Sequence, residues 1–159
     1  MAPSNVEEQR KPTLEERASM FVNRVTLNSF NGWDKEVLRG MKVISAQPGR
    51  TEFEFTVTDA MCNPNGMLHG GCSATILDIL STTALYTADG EKGDLRRSLS
   101  RTLSLTYLRP IAPGTRVRVV NKLVHAGKSL TSLSARIQTL DGKVCVTCVH
   151  DKAMLAPRL

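Results

Sequence analysis

The chain has 159 residues, enough for one domain with a full hydrophobic core and few for two. Hydrophobic residues make up 41% and charged residues 23%, as in an ordinary globular protein, and the 4% of aromatic residues predicts a mostly aliphatic core. No apolar run approaches the roughly 20 residues that cross a bilayer, so we expect no membrane span.

The net charge of +6 is unevenly distributed along the chain. Between residues 92 and 118, seven basic residues are opposed only by Asp94. This concentration favours an anionic partner such as a phosphate, while a solvated face that keeps the protein soluble is the simpler interpretation. Nucleic acid is not expected, because Tyr107 is the one aromatic residue there and a stacking platform needs several. The basic residues are Lys92, Arg96, Arg97, Arg101, Arg109, Arg116 and Arg118.

The N-terminal segment lacks the features of a targeting sequence. No apolar segment typical of a secretory signal follows the first residues, and four glutamates between residues 7 and 16 are unlike a mitochondrial presequence. We therefore expect a cytoplasmic or mitochondrial protein whose four cysteines are reduced thiols.

The first 40 residues predict a tail and a helical extension. Residues 1–12 are polar and contain two prolines, which favours a disordered tail. Thr13 and Glu16 form a capping-box pattern, and apolar residues then recur at helical spacing, which predicts an amphipathic helix to about Ser29. We assign residues 13–40 to this extension.

A strand pair and a long helix come next. A short helix around 33–39 leads to strands at 41–47 and 52–58, joined at Pro48-Gly49, a typical hairpin turn. The segment 70–88 predicts a helix that is apolar on nearly all sides, so other structure should enclose it.

Four more strands should follow a charged loop at 90–97. Turn signals separate them at regular spacing, which indicates an antiparallel meander. In the first of them apolar and hydroxyl side chains alternate, so we expect Leu99 and Leu103 on one face and Ser100 and Thr102 on the other. The four segments are 98–108, 115–125, 130–139 and 144–154.

Residues 41–155 thus predict one α+β domain, a curved antiparallel sheet wrapped around a central helix. A single sheet of this kind leaves its edge strands uncovered, and pairing with a second copy would cover them. We therefore expect a homo-oligomer.

The segment that leads into the long helix carries the candidate site. Residues 63–66 (Asn-Pro-Asn-Gly) predict a tight turn. After it, Gly70 and Gly71 open the helix with N–H groups that no side chain blocks, a geometry suited to a developing oxyanion. Asn63 could donate a second hydrogen bond. A plain turn residue is the simpler interpretation for Asn63, and a helix cap is the simpler one for His69.

Asp78 is the one charged residue of the apolar helix. Burial of an unpaired carboxylate is costly, so this side chain must be paired, protonated or exposed to a cleft. It is therefore a candidate general base or nucleophile. A structural acid bonded to Thr75, Ser81 or Thr82 is the alternative.

Gly70 and Asp78 cannot act on one carbonyl within one chain. Eight helical residues separate them by roughly 12 Å, whereas reacting groups approach within about 3–4 Å. A two-fold dimer with antiparallel helices would bring Asp78 of one chain near Gly70 of the other. The sequence therefore predicts a site shared between two subunits.

The motif that spans the turn, the glycine pair and the acid consists of Asn63, Gly66, Leu68, His69, Gly70, Gly71, Ala74, Thr75 and Asp78. It resembles the signature of the hotdog-fold acyl-CoA thioesterases, in particular the PaaI-like and thioesterase superfamily member 2 group. Similarity continues through residues 81–82, 105–110 and 127–130. The resemblance implies a hotdog fold and a thioester hydrolase that splits acyl-CoA into free acid and CoA. It also implies no cofactor, because CoA is part of the substrate, and a homodimer that pairs into a dimer of dimers.

The resemblance further implies roles for the catalytic residues. The Gly70 N–H and Asn63 would polarise the thioester carbonyl, and His69 would orient the turn and the thioester end. Asp78 of the partner chain would activate water or attack directly. Ser100 would help to place that water.

The same resemblance implies contacts with the CoA part of the substrate. A turn at residues 127–129 would line the phosphates and the pantetheine, and neighbouring arginines could add positive charge. The family differs from this chain at Thr102, where an acid is common, and at His125, where a lysine is familiar. The full predicted set is Gly71, Thr102, Arg109, His125, Gly127, Lys128 and Ser129.

Other functions fit parts of the sequence. An acyl-CoA sensor or carrier would keep the basic residues but would not need Asp78. A hotdog dehydratase would need a histidine–acid pair that the sequence does not place. Cys145 and Cys148 match a C-x-x-C pattern, but residues three apart on a strand point to opposite faces, and no four-ligand set is visible, so we expect no metal.

The acyl group is predicted from the aliphatic residues of the long helix. Leu77, Leu80 and Leu85 suit a medium or long fatty acyl tail, and a phenylacetyl tail is the alternative.

Overall fold

The structure, a computed structural model, describes residues 10–27, 32–88 and 98–155. Three predictions fall outside the described residues, namely most of the N-terminal tail, the helix end at Ser29 and the loop at 90–97. Within the described ranges, no helix is long and apolar enough to cross a membrane.

The first helix, α1 (Leu14–Leu27), begins at the predicted capping box. The backbone N–H of Glu16 donates to Thr13 Oγ1 at 3.2 Å, and the backbone N–H of Thr13 donates to Glu16 Oε2 at 2.7 Å. Because the first N–H groups of a helix have no partner within it, these two bonds fix the start of α1. The capping-box prediction is confirmed.

An antiparallel sheet and one long helix form the rest of the described chain. A short helix, α2 (Lys35–Leu38), precedes the sheet, and a single 3-10 turn, Asp59–Met61, precedes the long helix α3 (Gly70–Tyr86). The strands are β1 (Lys42–Gln47), β2 (Arg50–Thr56), β3 (Ser98–Tyr107), β4 (Arg116–Ala126), β5 (Leu130–Thr139) and β6 (Val144–Met154).

The strand order in the sheet is β1-β2-β4-β5-β6-β3. The hairpin of β1 and β2 and the meander of β4, β5 and β6 are as predicted, but β3 pairs with β6 instead of β4. The prediction of a four-strand meander is therefore wrong at its first strand. The physical reason is that α3 carries the chain across the sheet, so β3 starts at the far edge and β4 fills the place beside β2.

Helix α3 lies across one face of the sheet and contacts strands β2 to β6. Its side chains Ile76, Leu77 and Leu80 are fully buried. A buried polar contact also joins α3 to the sheet. The hydroxyl groups of Thr83 in α3 and Thr51 in β2 lie 2.7 Å apart, and Asn121 Nδ2 of β4 donates to Thr51 Oγ1 at 3.1 Å. The helix that was predicted to be enclosed is enclosed.

Helix α1 packs against α3 and β1. Its residues Ala18 and Val22 are buried in the same core as α3. The N-terminal extension therefore covers part of the central helix that the sheet does not reach.

Truncation of Leu80 tests how much of the stability lies between α3 and the sheet. Since its side chain has 0% exposure, we expect Leu80→Ala to lower the free energy of unfolding by about 2–5 kcal/mol. The matched control Leu140→Ala, at 48% exposure, should change it by less than about 0.5 kcal/mol. Urea titration measures both, and equal losses would contradict this account of the core.

Candidate active site

The turn before α3 forms as predicted. The backbone N–H of Gly66 donates to Asn63 O at 2.9 Å, and Gly66 has a φ of 72°, a conformation that favours glycine. Asn63 Oδ1 accepts from the N–H groups of Asn65 and Met67 at 3.0 and 3.3 Å. These bonds fix the side chain by its oxygen, so its NH₂ group is the part that can donate to a ligand.

His69 is the N-cap of α3, and its Nδ1 atom accepts from the Gly71 N–H at 2.9 Å. A Cβ atom on residue 71 would lie 3.0 Å from that Nδ1, so the cap needs glycine there. The cap interpretation of His69 is correct, and it occupies the N–H of Gly71. Among the residues that the structure describes, none accepts from the N–H of Gly70, which is therefore a free donor at this helix end.

Tyr107, near the end of β3, covers the start of the helix. Its hydroxyl donates to Gly70 O at 2.9 Å, and a Cβ atom on residue 70 would meet the ring at 3.3 Å. A cavity of about 340 Å³ opens beside these groups and is lined by Asn63, Gly70, Tyr107 and Arg109. We call Asn63, Gly70 and Tyr107 the glycine half-site.

Asp78 lies on the side of α3 that faces β3, and its side chain is 42% exposed. The Ser100 hydroxyl donates to Asp78 Oδ1 at 2.7 Å. The hydroxyls of Ser81 and Thr82 instead donate to the backbone oxygen of Asp78, at 3.3 and 3.0 Å. The carboxylate therefore accepts its hydrogen bond from strand β3 and not from the hydroxyl groups of its own helix. The alternative of an acid bonded to its helical neighbours is wrong. We call Asp78 and Ser100 the acid half-site.

A β-bulge turns Ser100 towards the helix. Ser100 lies opposite Lys152 of β6, whereas Thr102 lies opposite Asp151, so Arg101 is an extra residue in β3. The alternation is interrupted at this point, and Leu99 is 58% exposed while Leu103 packs against the core. The prediction of one unbroken alternation, with Ser100 and Thr102 on one face, is wrong for this reason.

His150 of β6 lies behind Asp78 and is fully buried. Its Nδ1 atom lies 2.7 Å from Ser81 Oγ, and its Nε2 atom lies 3.3 Å from Asp78 Oδ1. Burial, and then the positive charge of Lys152, lower the pKa of His150 to about 4 against the opposing effect of Asp78. The imidazole is therefore neutral at pH 7.

Lys152 and Cys148 complete the surroundings of the acid. Lys152 is only 4% exposed, and its Nζ donates to Ser100 Oγ at 3.2 Å. Burial lowers the pKa of Lys152, and Asp78 opposes that change. Burial, and secondarily the charge of Asp78, raise the pKa of the Cys148 thiol to about 11, so this group stays neutral.

The two half-sites stand apart within one chain. Gly70 and Asp78 belong to one uninterrupted helix, so about 12 Å of helix axis separates them. Their contacts on β3 are also far apart, because Tyr107 and Ser100 lie near opposite ends of that strand. One protomer therefore holds the predicted catalytic residues in two separate groups.

The residues predicted for CoA binding are also divided. Arg109 lines the cavity of the glycine half-site and donates to Val144 O. The turn at residues 127–129 lies near the end of β6, since the Met154 N–H donates to Ser129 O at 2.9 Å. Its members Gly127, Lys128 and Ser129, with His125 of β4, are exposed.

Part of the predicted basic cluster is used in internal ion pairs. Arg116 and Arg118 bind Glu54 at 2.7 and 2.6 Å, so they are not free for an anionic partner as the clustering had suggested. The Thr102 hydroxyl similarly donates to Asp151 Oδ2 at 3.1 Å. Lys92, Arg96 and Arg97 lie outside the described residues.

The residues predicted to contact an acyl tail are inaccessible. Leu77, Leu80 and Leu85 each have 0% exposure, because the sheet covers this side of α3. That prediction is wrong, since a helix enclosed by a sheet offers no open apolar face. Apolar residues that line an open cavity are found instead at the glycine half-site, namely Met67, Leu68, Leu108, Pro110, Ile111 and Val146.

The C-x-x-C pair lies in the core. Cys145 and Cys148 are buried free thiols of one hydrophobic cluster. The register of β5 against β6 shifts beside Cys145, so strict alternation does not describe the pair. Within 10–27, 32–88 and 98–155, no group of three or more histidine, cysteine or acidic side chains could hold a metal ion.

Tyr107, His150 and Lys152 were not predicted as site residues. A signal was present in β6, where both His150 and Lys152 continue the inward face begun by Cys148. Polar residues in register with an apolar face indicate a buried partner, which here is the acid of α3.

Fold and site together define a hotdog-fold protein with a free N–H donor at the start of its central helix and a carboxylate on the same helix. The sequence model of the thioesterase superfamily matches residues 65–146. Acyl-coenzyme A thioesterase 13 of Homo sapiens is 31% identical over 120 residues, which cover 74% of this chain and 82% of the relative. The proofreading thioesterase EntH of Klebsiella pneumoniae is 30% identical over 111 residues, 69% of this chain and 77% of the relative.

The fold is also similar to that of a solved structure. The crystal structure of zebrafish thioesterase superfamily member 2 has a TM-score of 0.78 and 26% identity, and the match covers 91% of this chain and all of that one (100%). The chain therefore belongs to the thioesterase superfamily. The predicted hotdog fold and the predicted class of thioester hydrolases are confirmed at the level of the family.

The buried His150 should make stability depend on pH in one window. The pKa of a histidine in an unfolded chain is about 6.5, and that of His150 in the folded chain is about 4. Between these two pH values the unfolded chain therefore binds one more proton at this residue than the folded chain does. The contribution of the neutral imidazole is present above pH 6.5 and is lost as the pH falls towards 4. We expect His150→Gln to have a flatter stability profile between pH 6.5 and 4 than the wild type.

Denaturant titrations at a series of pH values measure this slope. The matched control is His125→Gln, which alters an exposed histidine of β4 and should keep the wild-type slope. An unchanged slope in His150→Gln would show that His150 does not carry the effect.

Proposed function

We propose that the protein hydrolyses acyl-CoA thioesters to a free acid and CoA. The observation that carries this proposal is the pair of half-sites, one with two free donors for a carbonyl oxygen and one with a carboxylate held by a hydroxyl. Each half-site alone lacks what the other supplies. The printed names of the relatives, an acyl-coenzyme A thioesterase and a proofreading thioesterase, support the same reaction.

A homodimer would join the half-sites through β3. Within the described sheet β3 is an edge strand, and its residues are exposed or half-buried along its whole length. Two copies of β3 that pair antiparallel about a two-fold axis at Ser104, one residue past the strand centre, would place Ser100 beside the partner's Tyr107. Because Ser100 contacts Asp78 and Tyr107 contacts Gly70, this pairing brings the acid half-site of one chain to the glycine half-site of the other. Pairing of two such dimers stays a prediction.

The reaction then follows from the groups at the joined site. The Gly70 N–H and the Asn63 NH₂ donate to the thioester oxygen, where negative charge develops. Asp78 from the second chain takes a proton from water, and the water oxygen attacks the carbonyl carbon. The C–S bond breaks as the tetrahedral intermediate collapses, and the CoA thiolate takes up a proton. Direct attack by the carboxylate of Asp78 is the alternative.

The acyl group and the CoA would leave the joined site in different directions. The apolar cavity lining beside Gly70 suits the acyl end, and a fatty or a phenylacetyl group meets the same aliphatic surface. The turn at residues 127–129 carries the exposed Lys128 near the acid half-site, so this cation would meet the CoA phosphates. His125, next to that turn, would add a second polar contact.

Thiol release from a panel of acyl-CoAs tests the proposal directly. With substrates from acetyl to palmitoyl and phenylacetyl, we expect turnover in the wild type and a loss of about a thousandfold in Asp78→Asn, because the amide cannot accept the proton. Oligomeric state and acyl-CoA binding should be retained, and calorimetry measures the binding. Tight binding without turnover in the wild type would favour an acyl-CoA sensor or carrier.

Heterodimers of two defective chains test whether the site is shared. Asn63→Asp keeps the oxygen that holds the turn but removes the NH₂ donor, so it should cost about a hundredfold or more in rate. A heterodimer of Asn63→Asp with Asp78→Asn would contain one intact site and one doubly defective site. We expect it to recover about half of the wild-type rate, since one of two sites is restored.

Co-expression with two different affinity tags yields the heterodimer, and the two variant homodimers are its controls. Recovery of activity requires that Asn63 and Asp78 of different chains act together. A heterodimer as inactive as the homodimers would place both groups of each site in one chain and would rule out the shared arrangement.

A further inference from the structure

Lys152 is a buried cation that the reaction described above does not use. Its side chain is 4% exposed, and among the described residues no carboxylate oxygen lies within 4.0 Å of its Nζ atom. The polar partner that the structure gives it is Ser100 Oγ, at 3.2 Å. Burial of an ammonium group beside a neutral partner costs desolvation free energy that this partner does not offset, so Lys152 does not serve stability.

We propose that Lys152 is a positioning residue that fixes the direction of the hydrogen bond from Ser100 to Asp78. This inference rests on the proposed hydrolysis. It assigns a role to a residue that touches neither the thioester nor the carboxylate.

The direction of the hydrogen bonds follows from the chemistry of the three groups. An ammonium group only donates, so Ser100 Oγ must accept from Lys152. The single hydroxyl proton of Ser100 is then directed to Asp78 Oδ1, at 2.7 Å. One lone pair of Ser100 Oγ and the whole of Asp78 Oδ2 stay available, and a water molecule could donate to both.

The charge of Lys152 acts on the same acid. Asp78 faces Ser100 from β3 and three titratable side chains from β6, of which Cys148 and His150 are neutral at pH 7. Asp151, the residue between His150 and Lys152, is bonded to Thr102 instead. Lys152 is therefore the positive side chain among the described residues that face Asp78, and the attraction of Asp78 opposes the lowering of the Lys152 pKa by burial.

The bulge at Arg101 makes this contact possible. In an unbroken alternation, Ser100 would share a face with Thr102, whose hydroxyl is bonded to Asp151. With the extra residue, Ser100 lies opposite Lys152 and both point towards α3. The bulge and the buried lysine thus serve one purpose, the placement of a single hydroxyl group.

Replacement of Lys152 by an apolar residue of similar length is the central test. We expect Lys152→Met to lower kcat by about tenfold or more and to change KM by less than about twofold, because the group acts on the base and not on substrate binding. The acid limb of the pH–rate profile should move to higher pH, since the carboxylate loses its cation. Lys152→Arg, which keeps the charge and the donors, should restore part of kcat.

Stability separates this role from a structural one. Replacement of a buried charge by a methionine is often neutral or stabilising, so the melting temperature of Lys152→Met should equal or exceed that of the wild type. The control Lys143→Met removes a lysine whose side chain is 69% exposed and should leave kcat, the pH profile and the melting temperature unchanged. Loss of both activity and stability in Lys152→Met, without rescue by Lys152→Arg, would make Lys152 a structural residue and overturn the inference.

A measurement without turnover keeps this test independent of the proposed reaction. The titration midpoint of the Asp78 carboxyl, followed by ¹³C NMR, should move to higher pH in Lys152→Gln, a polar variant that removes the charge and keeps an N–H donor for Ser100 Oγ. An unmoved midpoint would overturn the inference although the wild type hydrolyses acyl-CoA. Conversely, a wild type without Asp78-dependent hydrolysis would remove the proposed function, whatever the midpoint.

Discussion

The distance along α3 between Gly70 and Asp78 is the constraint on which the rest of the structure depends. An α-helix that is packed against a sheet cannot bend to bring residues eight positions apart onto one atom, so about 12 Å must be bridged in another way. The donors at the helix start and the acid in its middle are both rigid because the sheet holds the helix between them. In the proposed dimer, a second copy of the helix, reversed in direction, would supply what the first cannot.

Strand β3 connects this constraint to the edge of the sheet. One end of the strand contacts Gly70 through Tyr107, and the other end contacts Asp78 through Ser100. In a strand without a bulge, Ser100 and Tyr107 would point to opposite faces, because an odd number of positions separates them. The extra residue Arg101 brings both side chains to the face that carries α3. β3 is therefore both an edge strand with unpaired backbone groups and the strand whose side chains contact the two half-sites.

The sequence predicted the locally determined parts of the fold and the site better than those that depend on distant residues. Local signals such as the capping box at Thr13, the turn at Asn63 and the enclosed helix were sufficient, because they depend on neighbouring residues. Two non-local features were not predicted. The place of β3 beside β6 depends on the path of the whole helix, and the bulge at Arg101 leaves no sign in an alternating sequence. The burial of Leu80 misled the assignment of the acyl tail for the same reason, since an apolar residue can line a cavity or fill a core.

The acid half-site lies beside two buried titratable side chains of β6, His150 and Lys152. His150 is buried at the expense of its protonated form, and Lys152 is buried beside a neutral hydroxyl. Neither arrangement favours folding, and an apolar pair of similar volume would pack as well or better. His150 Nε2 lies 3.3 Å from Asp78 Oδ1, and Lys152 donates to the Ser100 hydroxyl that binds the same carboxylate, whose side chain is 42% exposed. The cost of burial is thus concentrated around Asp78, the group that would take the proton in the proposed reaction, and its exposed side is the one that a second subunit would close in the proposed dimer.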